Sequence, residues 1–165
     1  MFIYYIAFRI KSIVKSPLVK SLKNCYKYII FKQTKFMKTV VLCGSRRFKM
    51  EIREFASQLK SLGVVVYEPH LHSGQEEWTN LSEEYKNFVV LGLTHDHFYK
   101  IQMADVVFVF NKDGYSGNST TLEIGYAVAL GKPIYVLSDS DEERCRRALF
   151  REIVSSPAEL VNKLK

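Results

Sequence analysis

The sequence lacks most of the features that mark membrane, disulfide-rich or metal-binding proteins. Its opening apolar run, FIYYIAF, holds only seven residues before Arg9, too few to span a bilayer. No positive region precedes that run and no small-residue cleavage site follows it, so we expect no secretory signal. The three cysteines are widely spaced and form no CxxC pair, which favours reduced thiols and a cytoplasmic location. The sequence contains no Walker loop, GxGxxG or HExxH pattern.

Acidic residues are absent from residues 1–36, which hold eight Lys/Arg. Of the net charge of +7, this segment carries +8, which leaves −1 for residues 37–165. A nearly neutral domain predicts no nucleic-acid surface. We therefore divide the chain into a basic extension, residues 1–36, and one domain, residues 37–165. For the extension we favour non-native or poorly ordered sequence preceding a true start at Met37; the alternative is a segment that lies on an anionic membrane surface.

Strand and helix patterns alternate along residues 37–165. Apolar runs predict strands at Lys38–Cys43, Val64–Tyr67, Asp105–Phe110 and Ile134–Leu137. Helical patterns cover 50–62, 81–101 with a break near Gly92, 118–130, 139–153 and 158–164, whereas 68–80 shows no period and predicts a loop. This alternation predicts an α/β fold: three αβα layers around a flavodoxin-like or Rossmann-like open parallel sheet of four to five strands.

Ligands of such sheets bind at the carboxyl ends of the strands, near the point where the strand order reverses. Gly44, Ser45 and Arg46 follow the first strand and are candidates there. Glycine lets the backbone approach a ligand, serine donates to an anionic oxygen, and arginine supplies a planar charged fork. An ordinary strand-to-helix turn with a surface arginine pair is an equally good interpretation of this segment.

A second candidate segment precedes the helix at 118–130. Gly117, Asn118, Ser119 and Thr120 offer N–H groups and hydroxyls at a helix start, where an anion binds favourably. Glu123 follows them, and a carboxylate in that setting can attack an electron-poor carbon. The alternative is structural, because Thr120-x-x-Glu123 also has the pattern of a capping box. The apolar remainder of this helix predicts burial nearly all round.

The four histidines form two pairs, His70/His72 and His95/His97. Residues two apart on a helix diverge, and no further pattern supports zinc, so we expect neither a metal nor another cofactor. A role in proton transfer or ligand orientation fits one of these histidines better, because imidazole titrates near neutral pH.

Residues 38–137 resemble the nucleoside 2-deoxyribosyltransferase superfamily, which includes the 2′-deoxynucleoside 5′-phosphate N-hydrolases. The resemblance rests on three segments: VVLCGSRRF, HFYKIQMADVVFVFNKDGY and GNSTTLEIGYAVALGKPIYV. It implies that Glu123 attacks the anomeric carbon of the sugar, giving a glycosyl-enzyme that passes the sugar to another base or to water. It also implies that Gly44–Arg46 and Gly117–Thr120 contact the sugar or phosphate.

The chain departs from the family pattern at two positions. Transferases of the family usually carry an aspartate six residues before the nucleophile, and here that position is Gly117, with Asn118 beside it. A second family aspartate aligns near His97, with Asp96 adjacent. The resemblance thus makes His97 and Asp96 further catalytic candidates, and it leaves transferase and hydrolase both open.

The sequence supports one leading function and two alternatives. The leading one is cleavage or transfer at the N-glycosidic bond of a (deoxy)nucleoside or nucleoside 5′-monophosphate, with Glu123 as nucleophile. A non-catalytic nucleotide sensor with the same pocket is the first alternative, and a membrane-surface protein recruited through residues 1–36 is the second. We expect a small-molecule nucleoside or nucleotide as ligand and a homo-oligomer, whose interface the aromatic helix Leu81–Phe98 can supply.

Overall fold

The structure, a computed structural model, describes residues 38–71 and 75–164. Its strands are β1 (Thr39–Gly44), β2 (Val65–Tyr67), β3 (Val106–Phe110), β4 (Ile134–Val136) and β5 (Glu152–Ile153). Its helices are α1 (Lys49–Ser61), α2 (Gln75–Asn80), α3 (Glu83–Met103), α4 (Asn118–Ala129), α5 (Arg144–Arg147) and α6 (Pro157–Lys163). The predictions for residues 1–36 lie outside these described residues. Within them, every helix is too short or too polar to traverse a bilayer.

All five strands run parallel in the order β2-β1-β3-β4-β5. Val40 lies opposite Val106, and Val107 lies opposite Ile134, so β3 is paired on both edges. The strand order reverses between β1 and β3, as in flavodoxin-like sheets. The predicted fold class is therefore confirmed, and the carboxyl ends of β1 and β3 mark the place where a ligand site is expected.

Alternation along β1 divides the core into two clusters. Val40 and Leu42 pack on the face covered by α1 and α6, whereas Val41 and Cys43 face α3 and α4. All four side chains are fully buried, because a parallel strand covered on both faces has no solvent side. This arrangement gives the three predicted layers.

Helix α1 shows how local sequence defines an element. Ile52, Phe55 and Leu59 recur at helical spacing and are buried on the sheet. Gly63 then adopts φ 82°, a left-handed conformation that favours glycine, and its N–H donates to the carbonyl of Lys60. The chain turns there into β2.

The structure differs from the predicted secondary structure in three places. Helix α3 continues through Gly92, because one interior glycine costs only about 1 kcal/mol, which is too little to interrupt a 21-residue helix whose C-terminal half packs through His97 and Ile101. The predicted loop contains the short helix α2. The predicted helix at 139–153 is helical only over α5 and ends in β5, which pairs with β4 through Tyr135 and Glu152.

Helix α4 is not buried all round, which is a further correction. Ile124 and Ala127 face the sheet, but Leu122, Val128 and Leu130 are exposed. A helix in the outer layer of a three-layer fold buries only the stripe that faces the sheet, whatever the composition of its other side. The apolar outer face of α4 therefore lies at the surface of the described chain.

Candidate active site

A cleft of about 380 Å³ lies at the carboxyl ends of β1 and β3. Its size suits a nucleoside-sized ligand. Nine of the sequence-predicted site residues line it: Gly44, Ser45, Arg46, His97, Gly117, Asn118, Ser119, Thr120 and Glu123. Segments that are distant in sequence thus meet at the switch point of the sheet.

Gly44, the last residue of β1, is packed closely between helix α1 and strand β3. A Cβ at Gly44 would lie 2.9 Å from the Ile52 side chain and 3.2 Å from the backbone oxygen of Phe110, so only glycine fits without a shift. Ser45 then caps a single 3₁₀ turn, its hydroxyl accepting the N–H of Arg47 at 3.3 Å. Arg46 is exposed at the cleft mouth.

The nucleophile candidate does not cap its helix. The N-cap of α4 is Gly117, which has no side chain to bond the N–H groups of the first turn. Thr120 is buried, and Glu123 lies more than a turn inside the helix. The capping-box interpretation is therefore wrong, and the carboxylate of Glu123 is directed to the cleft and the sheet.

Glu123 meets two other polar side chains at the bottom of the cleft. Its Oε1 lies 3.5 Å from His97 Nε2, and the same nitrogen lies 3.5 Å from Cys43 Sγ. The side chain of Glu123 is 15% exposed, that of His97 is 7% exposed, and Cys43 is fully buried. Two atoms of this group, Glu123 Oε2 and His97 Nδ1, have no hydrogen-bond partner among the described residues.

Burial controls the protonation of these groups. Loss of solvent raises the pKa of Glu123 to about 7, and a hydrogen bond with the Cys43 thiol only partly offsets it. Burial, reinforced by the nearby carboxylate, also raises the pKa of Cys43. Burial lowers the pKa of His97 to about 4, with a smaller contribution from Lys100. At pH 7, His97 is therefore a neutral imidazole and Cys43 is a thiol, while both the protonated and the ionised forms of Glu123 are populated.

Helix α3 separates the remaining candidates on that helix. His95 is exposed and His97 is buried, as the two-residue spacing predicts. Asp96 does not line the cleft: its side chain is 50% exposed, and its carboxylate is 2.6 Å from Lys100 Nζ. The structure thus brings His97 to Glu123 and leaves Asp96 outside.

An apolar wall faces these polar groups. This side of the cleft is formed by Val90, Leu93 and Phe98 on α3 and by Leu122 on α4. Phe98 stacks on Tyr126, with ring centroids 4.6 Å apart and an interplanar angle of 18°. The wall offers a flat apolar surface of the kind that a heterocyclic base packs against.

A buried ion pair supports the loop before α4, and the sequence did not reveal it. Asp141 is almost fully buried and takes hydrogen bonds from Arg146 Nε and Nη2 at 3.0 and 2.7 Å. The Ser116 hydroxyl donates to the same carboxylate, and Arg146 also donates to the hydroxyl of Thr121. The sequence of this segment shows only an acidic start followed by arginines, within the predicted helix at 139–153.

Comparison with known proteins identifies the fold. No family model matches the chain, and no curated protein matches its sequence significantly. A 2-deoxyribosyltransferase from the psychrotolerant bacterium Bacillus psychrosaccharolyticus matches with a TM-score of 0.53 at 19% identity, over 75% of this chain and 90% of that one. The chain has the fold of a 2-deoxyribosyltransferase.

Two further solved structures are similar at lower TM-scores. The CMP N-glycosidase BcmB of Clostridium botulinum gives 0.47 at 20% identity, over 77% of this chain and 97% of that one. A conserved protein from Enterococcus faecalis V583 has a TM-score of 0.49 at 14% identity, over 78% of this chain and 97% of that one. The 2-deoxyribosyltransferase fold is consistent with the resemblance of residues 38–137 to that superfamily.

Proposed function

We propose that this protein breaks the N-glycosidic bond of a nucleoside or nucleoside 5′-monophosphate, with Glu123 as the nucleophile. The observation that carries the proposal is Glu123 itself: a carboxylate at the bottom of a nucleoside-sized cleft, whose Oε2 has no hydrogen-bond partner among the described residues. A carboxylate that only caps or braces a helix would have its oxygens bonded. The names of two fold neighbours, a 2-deoxyribosyltransferase and a CMP N-glycosidase, describe the same class of reaction.

In the proposed reaction an oxygen of Glu123 attacks the anomeric carbon while the bond from that carbon to the base nitrogen breaks. The bonding electrons leave with the base, which takes up a proton. Water or a second base then attacks the same carbon and releases Glu123, as in retaining glycosidases. Because the attacking form is the carboxylate and burial holds the pKa near 7, turnover rises as the pH increases from about 6 to 8.

The polar residues at the cleft mouth suit a phosphate or the sugar hydroxyls. Ser45 and Arg46 line the same cleft as Ser119, which lies in the first turn of α4, where backbone N–H groups favour an anion. Arg46 can bind two phosphate oxygens through its planar fork. We propose that these residues hold the 5′ end of the substrate while the base packs on the wall that includes Phe98.

His97 acts in this proposal as a positioning residue. A neutral imidazole 3.5 Å from Glu123 fixes the orientation of the carboxylate without forming a permanent ion pair that would reduce its nucleophilicity. Asp96 is not part of the proposed machinery, since its carboxylate is paired with Lys100 away from the cleft.

The decisive experiment is incubation of the full chain with a panel of nucleosides, deoxynucleosides and their monophosphates, with chromatography of the released base. A second base added to the reaction distinguishes transfer from hydrolysis. Glu123→Ala should reduce turnover by about 10⁴-fold or more, as expected for loss of a covalent nucleophile. Glu142→Ala, which removes an exposed carboxylate, is the matched control and should retain turnover.

Trapping gives a second readout. Acid quenching during turnover, followed by digestion and mass spectrometry, should find one sugar attached to the peptide that contains Glu123. Equal turnover by wild type and Glu123→Ala would reject the proposed nucleophile. Tight nucleotide binding in calorimetry, without product after long incubation, would favour the non-catalytic sensor.

We also propose that the protein is a homo-oligomer. Helices α3 and α4 pack together and leave apolar side chains exposed on their outer faces, including Phe88, Leu91 and Val128. A surface of this kind is typical of an interface between subunits. We propose that a second copy of the chain covers this apolar surface of α3 and α4.

A further inference from the structure

Cys43, His97 and Glu123 place a sulfur, a nitrogen and an oxygen ligand atom within 4.8 Å of one another. The three residues come from β1, α3 and α4, so the fold rather than a local motif assembles them. We propose that this cluster is a site for a thiophilic divalent cation, Zn²⁺ above all, and that the bound ion switches the protein off by occupying Glu123.

Two of the three spacings between the ligand atoms match those around a tetrahedral zinc ion, and the third, between Cys43 Sγ and a Glu123 oxygen, is within 4.8 Å. Bond lengths of about 2.3 Å to sulfur and about 2.0–2.2 Å to nitrogen and oxygen place neighbouring tetrahedral ligands about 3.4–3.6 Å apart. The observed distances from His97 Nε2 are 3.5 Å to Cys43 Sγ and 3.5 Å to Glu123 Oε1. An ion at the centre of the cluster therefore needs little movement of His97 relative to either partner.

Hydrogen bonding does not satisfy the cluster by itself. Glu123 Oε2 is buried and has no partner among the described residues, and a buried oxygen without a partner is destabilising. A cation bound by both carboxylate oxygens would give Oε2 a partner. His97 and Glu123 also line the cleft, so a water molecule can complete the coordination from that side.

The ligand set selects among ions. Mg²⁺ and Ca²⁺ require several oxygen ligands, and this cluster supplies one carboxylate. A thiolate, an imidazole and a carboxylate form a mixed set of the kind that binds Zn²⁺. On binding, the Cys43 thiol loses its proton to solvent, the sulfur forms the bond to the metal, and no electron is transferred.

The metal site and its effect are separate claims. Binding depends only on the three side chains. Inhibition rests on the proposed function, because the ion would hold the carboxylate that has to attack the sugar. The sequence predicted no metal because its spacing criteria recognise ligands on one turn or helix, whereas Cys43 and His97 are 54 residues apart.

The test of binding uses cobalt as a spectroscopic probe. The full chain carrying Cys25→Ser and Cys145→Ser keeps Cys43 as its single thiol, so any thiolate-to-cobalt charge-transfer band must come from Cys43. Titration with Co²⁺ should give that band at one ion per chain. Zn²⁺ should abolish it, and excess Mg²⁺ should not.

Two variants in the same background test the ligands. Cys43→Ser, which is nearly isosteric, should remove the band and weaken zinc binding in calorimetry by more than about 100-fold, since even outer-shell partners contribute 10–100-fold. Glu123→Gln should weaken zinc binding while keeping the thiolate band at higher cobalt. Circular dichroism checks that both variants fold. Absence of a cobalt band in the background protein, or its persistence in Cys43→Ser, would overturn the site.

The regulatory effect has its own readout. With a nucleoside substrate that the chain turns over, stoichiometric Zn²⁺ should reduce turnover at least 10-fold, and a chelator should restore it. Turnover that zinc leaves unchanged would refute the inhibitory role. If the chain turns over none of the panel, the proposed function fails, and the cobalt band still decides the metal site.

Discussion

Replacing Glu123 by Gln should make the protein more stable at alkaline pH although it removes the proposed nucleophile. The unfolded chain ionises this carboxyl above its ordinary pKa of 4.5, whereas burial holds the folded value at about 7. The folded state therefore binds the extra proton between these two values. Stability contributed by Glu123 falls as the pH rises through this window and stays low above it.

The pKa difference sets the magnitude. At about 1.4 kcal/mol per pKa unit, an increase from 4.5 to about 7 corresponds to about 3.5 kcal/mol as an upper limit. A glutamine has no such titration. We expect Glu123→Gln to match the wild type at pH 4.5 and to exceed it by about 2–3 kcal/mol at pH 8, which raises the melting temperature by about 4–12 °C in a protein of this size.

Urea denaturation of both proteins at several pH values between 4.5 and 8 measures the effect. Burial of His97 becomes destabilising as the pH falls below 6.5, where folded Glu123 is mostly protonated, so His97 contacts an uncharged side chain in both proteins and the difference between the two curves reports on Glu123. Glu142→Gln, at an exposed carboxylate, is the control and should give a curve parallel to the wild type. A difference between Glu123→Gln and wild type that stays constant from pH 4.5 to 8 would refute the reasoning.

Three further perturbations have expected outcomes. Gly114→Ala should reduce the free energy of unfolding, measured by thermal denaturation, by about 3 kcal/mol or more, because φ is 77° and the new Cβ would lie 2.0 Å from the backbone oxygen of Ser140. The control is Gly131→Ala, where φ is 66° but the space around the new Cβ is open, and it should cost only about 1 kcal/mol. Asp141→Asn should cost about 3 kcal/mol in urea, because it leaves the mostly buried Arg146 without its counter-charge, and no loss would mean that the pair is dispensable. Phe88→Asp should lower the mass in light scattering if α3 forms the subunit interface, whereas a wild-type chain that is already monomeric at micromolar concentration would contradict the oligomer.

The sequence predicted the elements whose residues carry their own signal. The run that became β3 is apolar and β-branched, and its burial on both faces leaves no polar position to break the pattern. Strand β5 has only Glu152 and Ile153, and a two-residue strand is defined by its neighbour β4 rather than by its own composition. Gly92 is helical despite its low helix propensity, because the propensity of one residue is a weak prior in a helix of 21 residues.

In the candidate site, positions that local structure defines were predictable, and contacts that depend on packing between elements were not. Backbone-defined positions such as Gly44 and Gly117 were predictable, because strand ends and helix starts determine where they lie. The meeting of Cys43 with Glu123 was not, because it depends on which face of β1 the cysteine occupies and on how α4 crosses the sheet. Asp141 and Arg146 were missed for a similar reason: their partners, Ser116 and Thr121, belong to another loop.

The stack of Phe98 on Tyr126 couples the two helices that carry the reacting groups. Phe98 is the residue after His97, and Tyr126 lies one turn beyond Glu123 on its own helix. Displacement of either helix along the sheet would have to separate the rings, so imidazole and carboxylate travel together. Ser45, Arg46 and residues 69–71 line the cleft from segments outside this stacked pair, so a change in cleft width that keeps the rings stacked has to come from those segments.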